Sequence, residues 1–538
     1  MGLLKDYMDL GKKDFFSADK IKLYIAFLVL VSLLLYAVTL RNGFVWDSEL
    51  VIKDPTIKDL KYLPSYFTED TLANQRKDNP GSVYVLKYYR PLLKVFYLFE
   101  YKAFGMNPMG YNAVNILLNA AVVALCFILV LDITGNIRIA FLSSLIYAVN
   151  PARVEAVSWF YSVSIILMAL FCLLSLIFYH RRKYISSLIS FIAALFVRES
   201  AVLFPLILIL YEFLIHRQRS ARGYLKIIYF FFFTGVYLAA RQAVAGPPPL
   251  TDLDLFTLFN SISVIIKRYV KIFFITDAPV TAYQMKLFNA LDPEVVISYF
   301  LLAGLLTAGA LIWLKKREYL FWYIWFFVWI AMSFNIGKFA DYMMAEKELY
   351  LASLGFSVLL AEIAVNLPVR KIIAHLLLAG FITAHFGISF SRNFFWRDSV
   401  TYLEKLLQFA PDFYLPHYAL ANYYASGKEF DKAFDEFRKT VILFPKYSMA
   451  YNNMGNIYYL KGLNKDALAM WEKAIGTDPA NPQPYYNIGL VLEKRGDLEQ
   501  SLNYYRKYLS IASDVSPDIL KRINELEKIA LPPTQIRR

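Results

Sequence analysis

The chain has 538 residues, 58% hydrophobic and 17% aromatic, with a mean hydropathy of +0.42, values too apolar for a soluble protein of this size and too unevenly spread for a single core. Its formal net charge of +14 at first suggests nucleic acid. Lys and Arg instead cluster in short turns between apolar runs, as in the cytoplasmic loops of membrane proteins, so no nucleic-acid partner is expected.

A helix needs roughly 20 apolar residues to cross a bilayer. On that scale eleven runs read as spans: 21–40, 112–132, 138–149, 158–179, 184–197, 201–215, 225–243, 295–313, 319–336, 349–366 and 371–390. The first is too long for a secretory signal and lacks a small-residue cleavage site, so it reads as a retained anchor. Lys12, Lys13, Lys20 and Lys22 flank it, which puts residues 1–20 in the cytoplasm. A large outer loop, 41–111, follows. Counting onward, the cytoplasmic turns hold Arg138, "HRRK" (180–183), "HRQRSARGYLK" (216–226), "KKRE" (315–318) and "PVRK" (368–371), and each is basic. The run 261–275 is interrupted by Lys267, Arg268 and Lys271. As a span it would spoil this alternation, so it reads as an interfacial or re-entrant helix. An odd number of crossings leaves the C-terminal domain outside.

Three runs are short. The one ending at Val149 gives roughly 18 Å of helix at about 1.5 Å per residue, against a hydrocarbon core of about 30 Å. The runs 184–197 and 201–215 flank "RES" (198–200) and carry basic clusters at their far ends, which makes them a hairpin with an outward tip. Short spans draw "NPARVE" (150–155) and "RES" to or below the outer surface, where ionisable residues line a water-filled cavity or pair with one another. Cys126 and Cys172 lie inside apolar runs, and His180, His216, His375, His385 and His417 show no ligand spacing. Neither a disulfide framework nor a zinc site is indicated.

Five polar stretches fall on the outer side: "VWDSE" (45–49), "KYYRPL" (87–92), "NPARVEAVSW" (150–159), "VRESAVLFP" (197–205) and "AEKELYLASLG" (345–355). Together they mix acids with Arg90, Arg153, Arg198 and Lys347, a composition suited to transfer from a phosphate-bearing donor. A carboxylate can take the proton of an attacking hydroxyl, and Asp47 is the expected catalytic group, as base or acceptor anchor, with Glu155 or Glu49 assisting. The four cations would hold the departing phosphate, supported by Tyr89, Glu199 and Glu346. Asp47 and Glu49 can also be read as ligands of a divalent cation, magnesium or manganese, because hard cations take carboxylates.

After Arg392 the composition becomes soluble. Pro411, Pro445 and Pro479 are spaced by 34 residues, with Ala421, Gly455 and Gly489, then Ala433, Ala467 and Ser501, then Phe437, Trp471 and Tyr505 in the same phase. That period is the tetratricopeptide signature. Three repeats span 412–513, preceded by a half-repeat at 396–411 and followed by a capping helix and tail at 514–538. Tyr418, Asn422, Asn452, Asn456 and Asn487 fall on the first helices, which line the concave, partner-binding face of such solenoids. The expected fold is all-α: a polytopic membrane bundle over 21–391 with about eleven spans, then an α-solenoid.

The sequence "NGFVWDSELVI", "YYRPLL", "GMNPMGYNAVNILLNA", "NPARVEAVSW", "RESAVLFPLILILYE", "AEKELYLASLG" and "RNFFWRD", with repeats after it, resembles the bacterial relatives of the transmembrane and tetratricopeptide-repeat protein O-mannosyltransferases, of the GT-C glycosyltransferase superfamily. The resemblance covers nearly the whole chain. It implies a polyprenyl-phosphate sugar donor, an inverting transfer, an extracytoplasmic site and a catalytic acid in the first outer loop, where Asp47 stands. It also implies a bacterial inner membrane. The chain departs from the family's pattern at Ser48, where a second acid is usual, at Asn150 in place of His, and at "SVSI" (162–165, with Val163 and Ser164) in place of a Gly-Arg-x-Asp stretch. Lys347 and Ala352 replace Arg and Pro. Two functions follow as expectations: a membrane glycosyltransferase whose repeats receive a protein acceptor, or an inactive membrane-anchored scaffold for an envelope complex. A transporter ranks third, since no matching inverted halves stand out.

Overall fold

The structure, a computed structural model, describes residues 18–71, 87–218, 220–246, 254–275, 292–334, 344–366, 371–512, 515 and 517–530. Most of the predicted cytoplasmic N-terminus, the middle of the outer loop at 72–86, the basic turn at 368–370 and the tail after residue 530 lie outside these residues. Among the described residues every regular element is helical. The chain divides into two compact units, one ending at Asp398 and the other beginning at Ser399.

In the first unit the opening apolar run forms α1 (Ala18–Tyr36), extended by a tighter turn to Arg41. It holds no Gly or Pro to break its hydrogen-bond ladder. The outer loop supplies α2 (Asp47–Lys53) and α3 (Pro91–Phe104), the latter starting on a proline, whose missing N–H is spare at a first helical position. Then α4 (Pro108–Thr134) starts with the Asn107 side chain capping Met109 and stops at Gly135, which adopts φ +62°. The rest are α5 (Ile137–Val149), α6 (Val154–Ser158), α7 (Val163–His180), α8 (Tyr184–Val197), α9 (Phe204–Leu214), α10 (Ile228–Ala245), α11 (Leu255–Phe274), α12 (Pro293–Lys315), α13 (Arg317–Ile330), α14 (Leu349–Asn366) and α15 (Lys371–Arg392).

The eleven expected runs are mainly helical where described, with 158–179 broken at the extended Trp159, but they differ in reach. Six stretches among the described residues are long and apolar enough to cross a membrane: Ala18–Arg41, Pro108–Thr134, Phe160–His180, Gly223–Ala245, Pro293–Lys315 and Glu346–Asn366. By contrast α5, α8 and α9 have 13, 14 and 11 residues. The run 261–275 is the main part of α11, whose Lys267 and Arg268 reach Glu294 at 3.1 and 3.2 Å, while Leu255, Phe256 and Phe259 at its start are exposed.

Contacts between distant helices sort the turns into two ends. At one, Arg181 pairs with Asp132 (3.1 Å), Lys226 with Glu212 (2.7 Å) and Arg217 with Glu318 (3.8 Å). At the other, buried amides take up carbonyls left open at helix ends, as low-dielectric burial demands. Asn112 donates to the carbonyls of Thr39 and Asn42 at 2.9 and 3.0 Å, Asn393 to that of Leu35 at 2.7 Å, and Ser158 to Asn393 at 2.7 Å. Between the ends, small residues allow helices to approach. A Cβ at Gly355 would lie 2.2 Å from the Trp322 carbonyl oxygen, and beside it Phe326 and Phe356 stack at 3.9 Å.

The second unit is a tetratricopeptide solenoid. A half-repeat helix, α16 (Ser399–Phe409), precedes the pairs α17 (Tyr414–Ser426) with α18 (Phe430–Leu443), α19 (Ser448–Leu460) with α20 (Asn464–Thr477) and α21 (Gln483–Arg495) with α22 (Leu498–Ile511), and α23 (Pro517–Ala530) follows. The small residues read from the period are where each pair closes. A Cβ on Gly455 would lie 2.5 Å from Trp471 Nε1, and one on Gly489 would lie 2.7 Å from the Tyr505 ring. Trp471 cannot swing aside cheaply, because its Nε1 donates to the Asn452 carbonyl and to Asn456 Oδ1, both at 3.1 Å. Gly455→Ala is therefore expected to destabilise the solenoid by about 1–3 kcal/mol. Protease resistance of the α19–α22 region on heating the full chain checks this; unchanged resistance would mean the indole relaxes freely.

Candidate active site

The loop before α2 carries a strained residue. Trp46 has φ +48° and ψ −118°, a conformation that costs energy in a bulky residue and persists only when its surroundings impose it. The imposition comes from two hydrogen bonds to the Val45 carbonyl, from Ser48 N (3.0 Å) and from Trp159 Nε1 (3.1 Å). Trp159 is itself stacked on Trp396, with ring centroids 5.5 Å apart. This clamp sets Asp47, half-buried, at the start of α2. Glu49 points elsewhere: it pairs with Lys53 of its own helix at 3.1 Å, both side chains partly exposed.

Arg90 is brought in by a short pairing of the loop with itself. Thr71 N donates to the Tyr88 carbonyl (2.7 Å), Arg90 N to Thr71 Oγ1 (3.0 Å) and Tyr88 N to Asp70 (3.0 Å). The guanidinium then grips both oxygens of Glu199 at 2.7 and 2.6 Å and covers the Tyr88 ring at 4.1 Å. Burial alone would push the Glu199 carboxyl up, but the charge and hydrogen bonds of Arg90 outweigh it and hold Glu199 down at about 2. Burial raises the Tyr88 phenol to about 12; Arg90 and Arg198 oppose the shift, while Glu199 and Asp47 reinforce it. Those four charges thus lie within electrostatic reach of one hydroxyl.

A second group adjoins the first. Arg198 donates to Glu348 (2.6 Å), Ser200 (3.2 Å) and Ser164 (3.3 Å). Lys347 lies 3.5 Å from Glu155 and 4.5 Å above the Trp159 ring, and its backbone N–H donates to the other Glu155 oxygen at 3.0 Å. Glu155 is fully buried. Burial, aided by Glu346 and opposed by Lys347, raises its carboxyl from 4.5 to about 7. Glu346, also buried, pairs with Arg392 at 2.5 Å. A carboxyl raised on folding makes the folded state bind a proton that the unfolded chain has lost. Stability from this group therefore falls as pH rises from the ordinary 4.5 through about 7. Glu155→Gln is expected to flatten that fall in unfolding midpoints measured in detergent, and an unaltered slope would assign it to another group.

Of the expected site residues, Asp47, Tyr89, Arg90, Glu155, Arg198, Glu199, Glu346 and Lys347 share this end of the bundle. Arg153 is set apart. Its side chain is fully buried, with guanidinium faces on Tyr147 (3.8 Å) and Tyr350 (4.7 Å) and hydrogen bonds to the Tyr147 carbonyl and Asn119, a placement that ties helices together and leaves no surface for a phosphate. Asn150 is likewise structural, accepting from Ala152 N and donating to the Phe273 carbonyl at 3.0 and 3.1 Å. Ser48 is buried with its hydroxyl lacking a partner among the described residues. Glu348, Tyr88, Trp159 and Arg392 escaped the sequence reading. Glu348 stands in the quoted "AEKELYLASLG" two residues past Glu346, but only its contact with Arg198, 150 positions away, gives it meaning. Among the described residues no three His, Cys, Asp or Glu side chains group so as to hold a metal ion.

In the second unit the expected partner-binding residues join one ladder. Asn453 donates to Asn422 Oδ1 (2.9 Å) and the Tyr418 hydroxyl (3.3 Å), Asn452 to Asn453 (3.1 Å), and Asn487 to both Asn452 (3.0 Å) and Asn456 (2.9 Å).

Residues 455–496 match a family model described as TPR repeat, and 482–515 one described as tetratricopeptide repeat. The chain is 24% identical over 476 residues to a protein O-mannosyl-transferase of Caenorhabditis elegans, covering 85% of this chain and 63% of the relative. It is 30% identical over 159 residues to protein O-mannosyl-transferase TMTC1 of Homo sapiens, covering 29% and 18% of the two chains. A TPR repeat-containing protein of Methanocaldococcus jannaschii matches at 24% over 139 residues, 26% and 24% of each. The chain thus spans less than two thirds of the length of each of these relatives.

Proposed function

We propose that this chain, similar over most of its length to protein O-mannosyl-transferases, is a membrane glycosyltransferase. It moves a sugar from a polyprenyl-phosphate donor to an extracytoplasmic acceptor, a protein received by the tetratricopeptide repeats. It works in a bacterial inner membrane with its N-terminus in the cytoplasm and its repeats outside. The observation that carries this reading is the convergence of Asp47, from a clamped and strained turn, with the Arg90–Glu199, Arg198–Glu348 and Lys347–Glu155 pairs at one end of the bundle.

Asp47 takes the proton of the acceptor hydroxyl as its oxygen bonds to the sugar's anomeric carbon. The bond from that carbon to the phosphate oxygen breaks, and the electron pair leaves with the phosphate. Attack opposite the leaving group inverts the anomeric centre. Lys347 is best suited to meet the phosphate charge, since its ammonium has only a 3.5 Å ion pair and an aromatic face, whereas Arg90 and Arg198 are held by short carboxylate bonds.

One observation favours a second reading, a scaffold without activity. Carboxylates neutralise Arg90 and Arg198, Ser48 stands where a second acid is usual in the resembled family, and "SVSI" (162–165) stands where that family has Gly-Arg-x-Asp. Intact-mass analysis of envelope proteins and glycolipids separates the two: deletion of the chain removes a hexose-sized mass from an acceptor if it is a transferase, and leaves every glycan in place if it is a scaffold.

A further inference from the structure

Helix α10, IYFFFFTGVYLAARQAVA, carries one charged side chain, Arg241. The helix turns Phe231, Phe232, Val236 and Leu238 outward, each 44–61% exposed, as a lipid-facing helix does. Arg241 is half-buried and makes neither a hydrogen bond nor an ion pair among the described residues. A charge in such a setting is costly unless it meets water, a counter-ion or a headgroup.

The helix direction fixes which end Arg241 occupies. Lys226, just before α10, pairs with Glu212 among the basic turns. Tyr237, one turn before Arg241, donates its hydroxyl to the Tyr89 carbonyl at 3.1 Å, and that hydroxyl lies within electrostatic reach of Glu199, Arg90 and Arg241. Arg241 therefore stands at the candidate-site end, within electrostatic reach of the same tyrosine hydroxyl as Arg90. Arg90, Arg198, Lys347 and Arg392 each have a carboxylate at 3.5 Å or less. An incoming anion must compete with a carboxylate at each of those four cations, whereas Arg241 has no carboxylate partner among the described residues.

We propose that Arg241 binds the phosphate of the lipid-borne donor as it enters from the bilayer, an inference that rests on the polyprenyl-phosphate reading above. The guanidinium offers paired donors that match a phosphate, and its lipid-facing helix leaves the hydrocarbon chain in the membrane.

The test is native mass spectrometry of the full chain in phosphatidylcholine nanodiscs, titrated with undecaprenyl phosphate, phosphatidylglycerol or inorganic phosphate. Arg241→Gln is expected to weaken undecaprenyl phosphate binding about 10- to 100-fold. Arg241→Lys should stay within a few-fold of wild type, and Arg217→Gln, at the opposite end, should match it. Wild type that binds undecaprenyl phosphate equally well with or without Arg241 overturns the assignment and leaves the donor reading intact. Wild type that binds no polyprenyl phosphate overturns the donor reading itself. Equal loss of phosphatidylglycerol or free phosphate on Arg241→Gln makes the residue a general anion anchor and overturns its role in donor selection. Loss with Arg241→Lys as well as Arg241→Gln, together with a lowered unfolding midpoint, assigns it to structure instead.

Discussion

Asp47→Asn is expected to lower sugar transfer by about 10²–10⁴-fold with little change in the unfolding midpoint. The substitution keeps the size and half-buried position of the side chain and removes its basicity. The Val45 carbonyl receives the Trp159 and Ser48 hydrogen bonds that clamp the turn, so that clamp survives the substitution. Intact acceptor masses in cells carrying the wild type, the deletion and Asp47→Asn decide the matter. If the deletion removes a sugar and Asp47→Asn retains it, Asp47 is not the base, and Glu155, buried and raised to about 7, becomes the group to test.

Glu199→Gln is expected to have the largest effect on stability. It leaves the Arg90 guanidinium, 7% exposed, without its counter-charge, and breaking such a pair on one side costs about 3–5 kcal/mol. The effect is pH-dependent in a defined direction. Glu199 is depressed from 4.5 to about 2, so its contribution is fully present above pH 4.5 and is lost as pH falls toward about 2. Unfolding midpoints of wild type and Glu199→Gln should therefore differ most near neutrality and converge in acid. Replacing both partners by apolar residues of similar volume, Arg90→Met with Glu199→Leu, should recover much of the stability and none of the transfer. A constant gap between wild type and Glu199→Gln down to low pH would mean that the pair does not carry the stability.

The two substitutions probe different links. Asp47 sits on a turn held by the Trp159–Val45 hydrogen bond, so under the proposed function its substitution tests chemistry. Arg90 and Glu199 join the outer loop to the hairpin between α8 and α9, so their role begins with architecture. If the scaffold reading is right, Glu199→Gln will still destabilise the chain while Asp47→Asn changes no glycan, and the pair of measurements separates fold from function.

Much of the architecture was legible in the sequence because it rests on local periodicity. Long apolar runs became helices since nothing in them interrupts the backbone ladder, and the 34-residue period located Gly455 and Gly489 where a Cβ would collide with Trp471 and Tyr505. The alternation of basic turns assigned distant motifs to one expected side, and ion pairs join several of them at one end of the bundle. What the sequence could not determine was which member of each motif meets which. Arg153 and Arg198 look alike in a list of cations, yet one lies between two tyrosines inside the bundle and the other reaches Glu348. Arg241 reads as one basic residue at a span's end until Tyr237 and Tyr89 bring it beside the site. Such choices depend on partners roughly a hundred or more positions apart, and only the packed tertiary structure decides them.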